Sequence, residues 1–219
     1  MNAKSLWLCA ALVCSSFNLW CAENALVTSL NGTAVFSAGT ATGTTLRPFV
    51  KLREGDRLML KEDTRMQIVF FGSGRHETWQ GAGLLGIGSA ESTPVSGSLK
   101  VEVKTLPAIL VRQLSKTPAV EDVSRTAMVR LRSLPTGGAI DAIEKAYADF
   151  RHQASPGDRS PELYLLASYF ELREFGKVTD KLDALEAQNP DDAEIAKLKV
   201  LYTAAIARAN AATKPPAKE

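Results

Sequence analysis

The chain has 219 residues, 45% hydrophobic and 23% charged, with a formal net charge of +2. That is a globular composition, and with no basic block it excludes a phosphate-tracking nucleic-acid surface. The three cysteines, Cys9, Cys14 and Cys21, all lie at the chain start. The remainder therefore has no disulfide framework, thiolate metal site or cysteine nucleophile.

The first predicted element is a secretory signal peptide over residues 1–22. Lys4 precedes an apolar core at 6–13, a polar stretch with Ser15, Ser16 and Asn18 follows, and small Cys21 and Ala22 precede Glu23. This is the order of regions in an export signal. A cut after Ala22 places the large Trp20 at the −3 position. Lipid anchoring at Cys21 is the weaker alternative, because Asn18, Leu19 and Trp20 are not the small residues a lipidated cysteine needs before it. An uncleaved anchor helix ranks below cleavage, since the apolar stretch is short and interrupted. The expected location is periplasmic or secreted, with no stable membrane span after cleavage. The ~197 residues that remain are enough for one larger domain or two small ones.

From residue 25 to about 111 the chain reads as β. In "ALVTSLNGTAVFSA" apolar residues alternate around Asn31-Gly32, a hairpin-type turn signal, with Leu26, Leu30, Val35 and Phe36 as core candidates. "GTATGTT" is a loop. Three β stretches follow, separated by turns at Glu54-Gly55-Asp56 and at residues 61–64; a third turn, Gly72-Ser73-Gly74, precedes "RHETWQ". "GSLKVEVKTL" alternates Leu99, Val101 and Val103 with Ser98, Lys100, Glu102 and Lys104. Short strands at intervals of about 8–12 residues predict a sandwich, small barrel or β-solenoid.

Within this region "GAGLLGIG" places Gly81, Gly83 and Gly86 at the dinucleotide-binding spacing G-x-G-x-x-G. That motif works only where a helix starts at the last glycine and offers its free N–H groups to a pyrophosphate. Here "IGSAESTPVSGS" follows, which cannot open a helix. The stretch reads as a glycine-rich bend between strands, with its glycines placed for positive φ or close strand approach. No nucleotide is expected.

Residues 112–137 read as a linker holding one more strand or short helix, in which Arg130 and Arg132 alternate with apolar neighbours. From about Gly138 the apolar period becomes helical: Ile140, Ile143, Tyr147 and Phe150 share one face. Ser160-Pro161 reads as an N-cap and first helical residue, ahead of Leu163, Leu166, Ala167 and Phe170. A third stripe holds Val178, Leu182 and Leu185. Asn189-Pro190 ends it, and Asp191 with Glu194 resembles a capping box before Ile195, Leu198 and Tyr202. Phe170, Leu182, Leu185 and Leu198 are the predicted contacts among these last helices. Residues 212–219 are expected to form a disordered tail.

Two family resemblances rest on these residues. Leu52, Gly55, Asp56, Leu58, Met66, Ile68, Phe70, Gly72, Gly74 and Trp79, with "NGTAVF" as opening strand, resemble the FecR-type periplasmic β-domain over about residues 26–106. Tyr169, Phe175, Val178, Leu182 and Pro190 resemble one degenerate tetratricopeptide hairpin, although Leu166, Val178 and Leu185 stand where small residues let such helices approach. A single unit of that kind must bury its face on neighbouring helices or on a partner. FecR-type regulators also carry a membrane helix and a cytosolic segment that touches a sigma factor. No such segment is recognised here, so the resemblance implies an exported sensing or binding module without sigma-factor regulation.

Catalytic signals are sparse. His76 and His152 are the two imidazoles, and each reads as a surface histidine rather than a general base. Glu54 with Asp56, and Glu62 with Asp63, read as solvated turn residues. Trp79, near Arg75 and His76, could stack on a sugar, but core packing is the favoured reading. The expectation is an α+β chain in two parts: an N-terminal all-β domain (23–111), sandwich or β-solenoid-like, then a linker (112–137) and an α-helical hairpin array (138–211). It is read as a non-enzymatic binding, scaffold or envelope-sensing protein. Its expected partner is a protein or the cell wall; no catalytic residues, cofactor, metal or nucleic acid are expected. A cell-wall-associated enzyme, or its accessory subunit, is the alternative.

Overall fold

The computed structural model describes residues 22–38, 43–119 and 138–212. All but the last residue of the expected signal peptide, including its cysteines, most of the expected linker and nearly all of the expected tail lie outside these residues. Ten strands come first and five helices last, so the layout is α+β with the β part leading.

The strands are β1 (Glu23–Asn31), β2 (Ala34–Ser37), β3 (Thr44–Thr45), β4 (Lys51–Arg53), β5 (Arg57–Leu60), β6 (Arg65–Phe70), β7 (Arg75–Gln80), β8 (Gly83–Ile87), β9 (Ser92–Gly97) and β10 (Lys100–Thr105). They form two five-stranded antiparallel sheets. Sheet A has the order β10-β7-β6-β1-β4, and sheet B the order β3-β2-β5-β8-β9. Ala25, Val27, Leu52, Met66, Ile68, Phe70 and Trp79 from sheet A meet Ala34, Leu58, Leu60, Leu85 and Ile87 from sheet B in one apolar core. Of the expected architectures, this is the sandwich.

Asn31-Gly32 is not a hairpin turn. β1 belongs to sheet A and β2 to sheet B, so this corner carries the chain between sheets. Glu54-Gly55-Asp56 and residues 61–64 are corners of the same kind, whereas Gly72-Ser73-Gly74 does close a hairpin, between β6 and β7. "GAGLLGIG" is more than a bend: Gly83–Ile87 is strand β8, followed by strand β9. The expected glycine roles hold. Gly81 sits at φ 103°, and a Cβ on Gly97 would lie 2.4 Å from the Gly83 Cα, closer than any side chain permits.

The helices are α1 (Ala108–Leu114), α2 (Gly138–Gln153), α3 (Ser160–Glu171), α4 (Phe175–Gln188) and α5 (Ala193–Ala211). α1 corrects one expectation, because strand structure ends at Thr105 rather than near residue 111, and a short helix, one of the two elements read in the linker, runs across its expected start. Leu110, Val111 and Leu114 are buried at helical spacing, and Thr117 and Ala119 are buried beyond them. So short an apolar run cannot be told from a strand by period alone.

α3 packs against α1, α2 and α4 and is buried along most of its length. Leu26, Phe49 and Val69 from the β part share a second core with Leu110, Leu114, Leu163, Leu166, Leu182, Leu198 and Tyr202. The two parts are thus joined by apolar burial over the outer side of sheet A. Leu182, Leu185 and Leu198 are buried as expected, while Phe170 is partly buried against Phe175 and Tyr202.

Two helix starts differ from the sequence reading by one residue. The Asp158 carboxylate accepts from Ser160 N at 2.9 Å, so helix α3 includes Ser160 rather than being capped by it. Asp192, not Asp191, caps α5 by accepting from Glu194 N and Ile195 N. Glu194 turns instead to β1, accepting from Ser29 Oγ at 3.0 Å and Leu30 N at 2.5 Å.

Candidate functional site

The residues singled out as possible chemistry fall in separate places. His152 is exposed at the end of α2, and Glu54, Glu62 and Asp63 are exposed in corners. Asp56 is buried instead: its carboxylate accepts from Arg53 N at 2.8 Å, closing the corner, and burial raises its pKa from the usual range. The correction follows from geometry, because a corner between two packed sheets has an inner side that an exposed hairpin lacks.

His76 is the second correction. It is 3% exposed, on the outer side of β7, and its Nδ1 lies 3.8 Å from a carboxylate oxygen of Asp158, itself 5% exposed. Burial lowers the His76 pKa; Asp158 opposes that, Lys104 adds to it, and Glu102 and Glu77 oppose it. Neither ring nitrogen has a hydrogen-bond partner, and the nearby Ser160 hydroxyl has none either. These residue types echo a hydrolase set, but each is enclosed between sheet A and the helices. A depression of ≈ 120 Å³ opens elsewhere, lined by Arg65, Thr78, Gln80, Lys100, Val101 and Glu102. Among the described residues no group of three or more His, Cys, Asp or Glu is placed to hold a metal ion.

Trp79 packs in the core between the sheets, as favoured. Its Nε1 donates to the fully buried Glu77 carboxylate at 2.8 Å and lies 2.9 Å from Ser92 Oγ. Ser92 also donates to Glu77 through both its hydroxyl and its N–H, and Arg75 Nε donates to it at 2.6 Å. Glu77 therefore ties β7 of sheet A to β9 of sheet B; it is a cross-sheet clamp.

The surface available for recognition is the outer side of sheet B. Register puts Thr45, Val35, Met59, Leu84 and Ser96 in one row across five strands. The next row runs Ser37, Arg57, Gly86 and Thr93. Met59 is 54% exposed and Val95, in the bulge between these rows, 58%. Arg57 is the one charged residue in the described strands of this sheet, and Phe36, its one aromatic residue, packs toward the core. The result is an apolar strip edged by hydroxyls, with a single cation among its described strands.

Reading one core face per strand hides this surface. The signal was present, since "RLML" and "GLLGI" place apolar residues at consecutive positions and so on both sides of the sheet.

Comparison with models of protein families, with curated proteins and with solved structures finds no match to this chain. No helix among the described residues is long and apolar enough to cross a membrane.

Proposed function

We propose that the chain is an exported, non-enzymatic binding or scaffold protein of the cell envelope, FecR-like in its β part, which takes a protein partner on the outer side of sheet B. The observation that carries this reading is the apolar row Val35–Met59–Leu84 with Met59 and nearby Val95 exposed, on strands holding one charge. Exposed apolar patches of this kind mark interaction surfaces. A protein suits it better than a glycan, because sugars are gripped by exposed aromatic rings and this face presents none. The helices act as a brace: they cover the outer side of sheet A around β1 and β6 and leave sheet B to the partner. The cell-wall enzyme alternative would rest on His76 and Asp158, which substrate reaches only if the helices lift.

The test is site-specific photo-crosslinking in the envelope. A probe replacing Met59 should give one discrete protein adduct. A probe replacing Val200, also apolar and more exposed, on α5, should give none. Equal adducts from both positions, or none from Met59, would remove the reading.

A further inference from the structure

Each sheet ends in two edge strands. β3 has two residues and β4 three. β9 contains Pro94 and is bulged against β8. β10 is six residues long, pairs regularly with β7 and is exposed throughout. Shortness, proline and bulges blunt an edge against pairing; β10 has only its charges.

The free side of β10 can be assigned atom by atom. Ser98 N donates to Ala82 O and Leu106 N to Gly74 O, both at 2.9 Å, on either side of an unbroken register from Lys100↔Gln80 to Thr105↔Arg75. Main-chain groups alternate sides along an antiparallel strand. The even-numbered residues therefore face β7, and Val101, Val103 and Thr105 aim their N–H and C=O groups at the open edge.

We propose that this edge pairs with a second copy of the chain, β10 against β10, antiparallel about a twofold axis through Val103. In that register Val103 faces Val103, Val101 faces Thr105, and Glu102 faces Lys104 of the other copy. Every outward N–H and C=O of these three odd-numbered residues then has a partner. On the outer side, Lys104 Nζ already lies 3.3 Å from Glu102 within one strand, so the axis generates a square in which each carboxylate has an ammonium on both strands. On the inner side, Val101 and Val103, which stand out from the core, cover the seam.

Neighbouring registers lose these features. An axis through Glu102 sets Glu102 against itself and Lys100 against Lys104, and leaves Thr105 facing Leu99. An axis through Val101 keeps Lys100 opposite Glu102 but runs past the strand into the Gly97-Ser98 corner. A one-residue slip sets a valine against Lys104, Val101 one way and Val103 the other. The charges that would repel a general partner thus select the chain's own β10, an isologous contact. It leaves the outer side of sheet B free and does not depend on what binds there.

Sedimentation velocity of the purified full chain over a dilution series is the experiment. The expected result is a reversible monomer–dimer equilibrium. Lys104→Glu should raise the dissociation constant about tenfold by opposing carboxylates, and adding Glu102→Lys should restore it. Val103→Pro removes an N–H that serves only the open edge, so it should yield a monomer with unchanged circular dichroism. A monomer across the whole range, a dimer indifferent to Lys104→Glu, or a failure of the double variant to restore association would each overturn the proposal.

Discussion

On the outer side of sheet A, Leu26 and Val69 are buried in a core shared with the helices; on the outer side of sheet B, Met59 is exposed, with Val35 and Leu84 half-buried beside it. Both faces carry apolar residues at strand period. What separates them is the polar content between those residues. The covered face buries Thr28, Gln67, His76 and Thr78, and burying such groups costs free energy that packing must exceed. The open face carries hydroxyls and one arginine. A sheet face is not made into core by alternation alone; the following chain must fold back over it, and here it does so on one side.

The firmest way to break this comparison is to loosen the cover. Leu166 and Leu182 are buried in the core that the helices share with β1 and β6. Alanine at either position should cost about 2–5 kcal/mol. Because that core joins both parts, helical circular dichroism and Trp79 fluorescence should fall together at a lower midpoint. A helical signal that melts first, leaving Trp79 fluorescence in place, would mean the helices are a separate unit resting on the sheet.

A smaller effect is expected at the clamp that holds the sheets against each other. Glu77→Ala leaves Ser92 N without its acceptor and strips Trp79 Nε1 of one of its two. The expected loss is about 1–3 kcal/mol in urea unfolding, the cost of unsatisfied buried donors. Glu77→Gln should lose less, since an amide oxygen still accepts. Equal losses would place the contribution in charge rather than in hydrogen bonding.

The covered face should also respond to acid. Burial holds the His76 pKa below its ordinary value of 6.5. The unfolded chain therefore takes up the proton first, and this contribution to stability is complete above about pH 6.5 and falls as pH drops below it. Asp158, Glu102 and Glu77 oppose the loss and Lys104 adds to it. His76→Gln should flatten the difference between midpoints measured on either side of that pH. A profile identical to the unsubstituted chain would mean that the ring does not titrate between its folded and unfolded states.

The sequence shows the β-to-helix order, most strands and the last four helices, because each rests on a local period or turn. Strand partners depend on contacts far apart in sequence: Asn31-Gly32 has hairpin chemistry, yet β1 pairs with β4 and β6. His76 and Asp158 are separated by most of a domain and meet only when α3 docks, so neither could be read as buried. The open face escaped notice for a different reason. Leu58 with Met59, and Leu84 with Leu85, look like ordinary strand cores until the sheet assigns one of each pair outward.

The finest test separates a surface kept open for a partner from one that merely lacks a cover. Met59 stands in the middle of the row, between Val35 and Leu84, and is more than half exposed. Met59→Asp places a carboxylate near Arg57, two positions along the same side of β5, where water still reaches it. Substitutions at such positions usually stay within about 0.5 kcal/mol, so thermal melting should not move. Partner capture, read by the crosslink from a probe at Val95, should disappear, because a charge cannot be desolvated beneath an apolar partner without cost. If Met59→Asp instead destabilised the isolated protein as strongly as Leu182→Ala, the row would already be covered within the chain. The two sides of the sandwich would then be equivalent, and the partner would have to bind elsewhere.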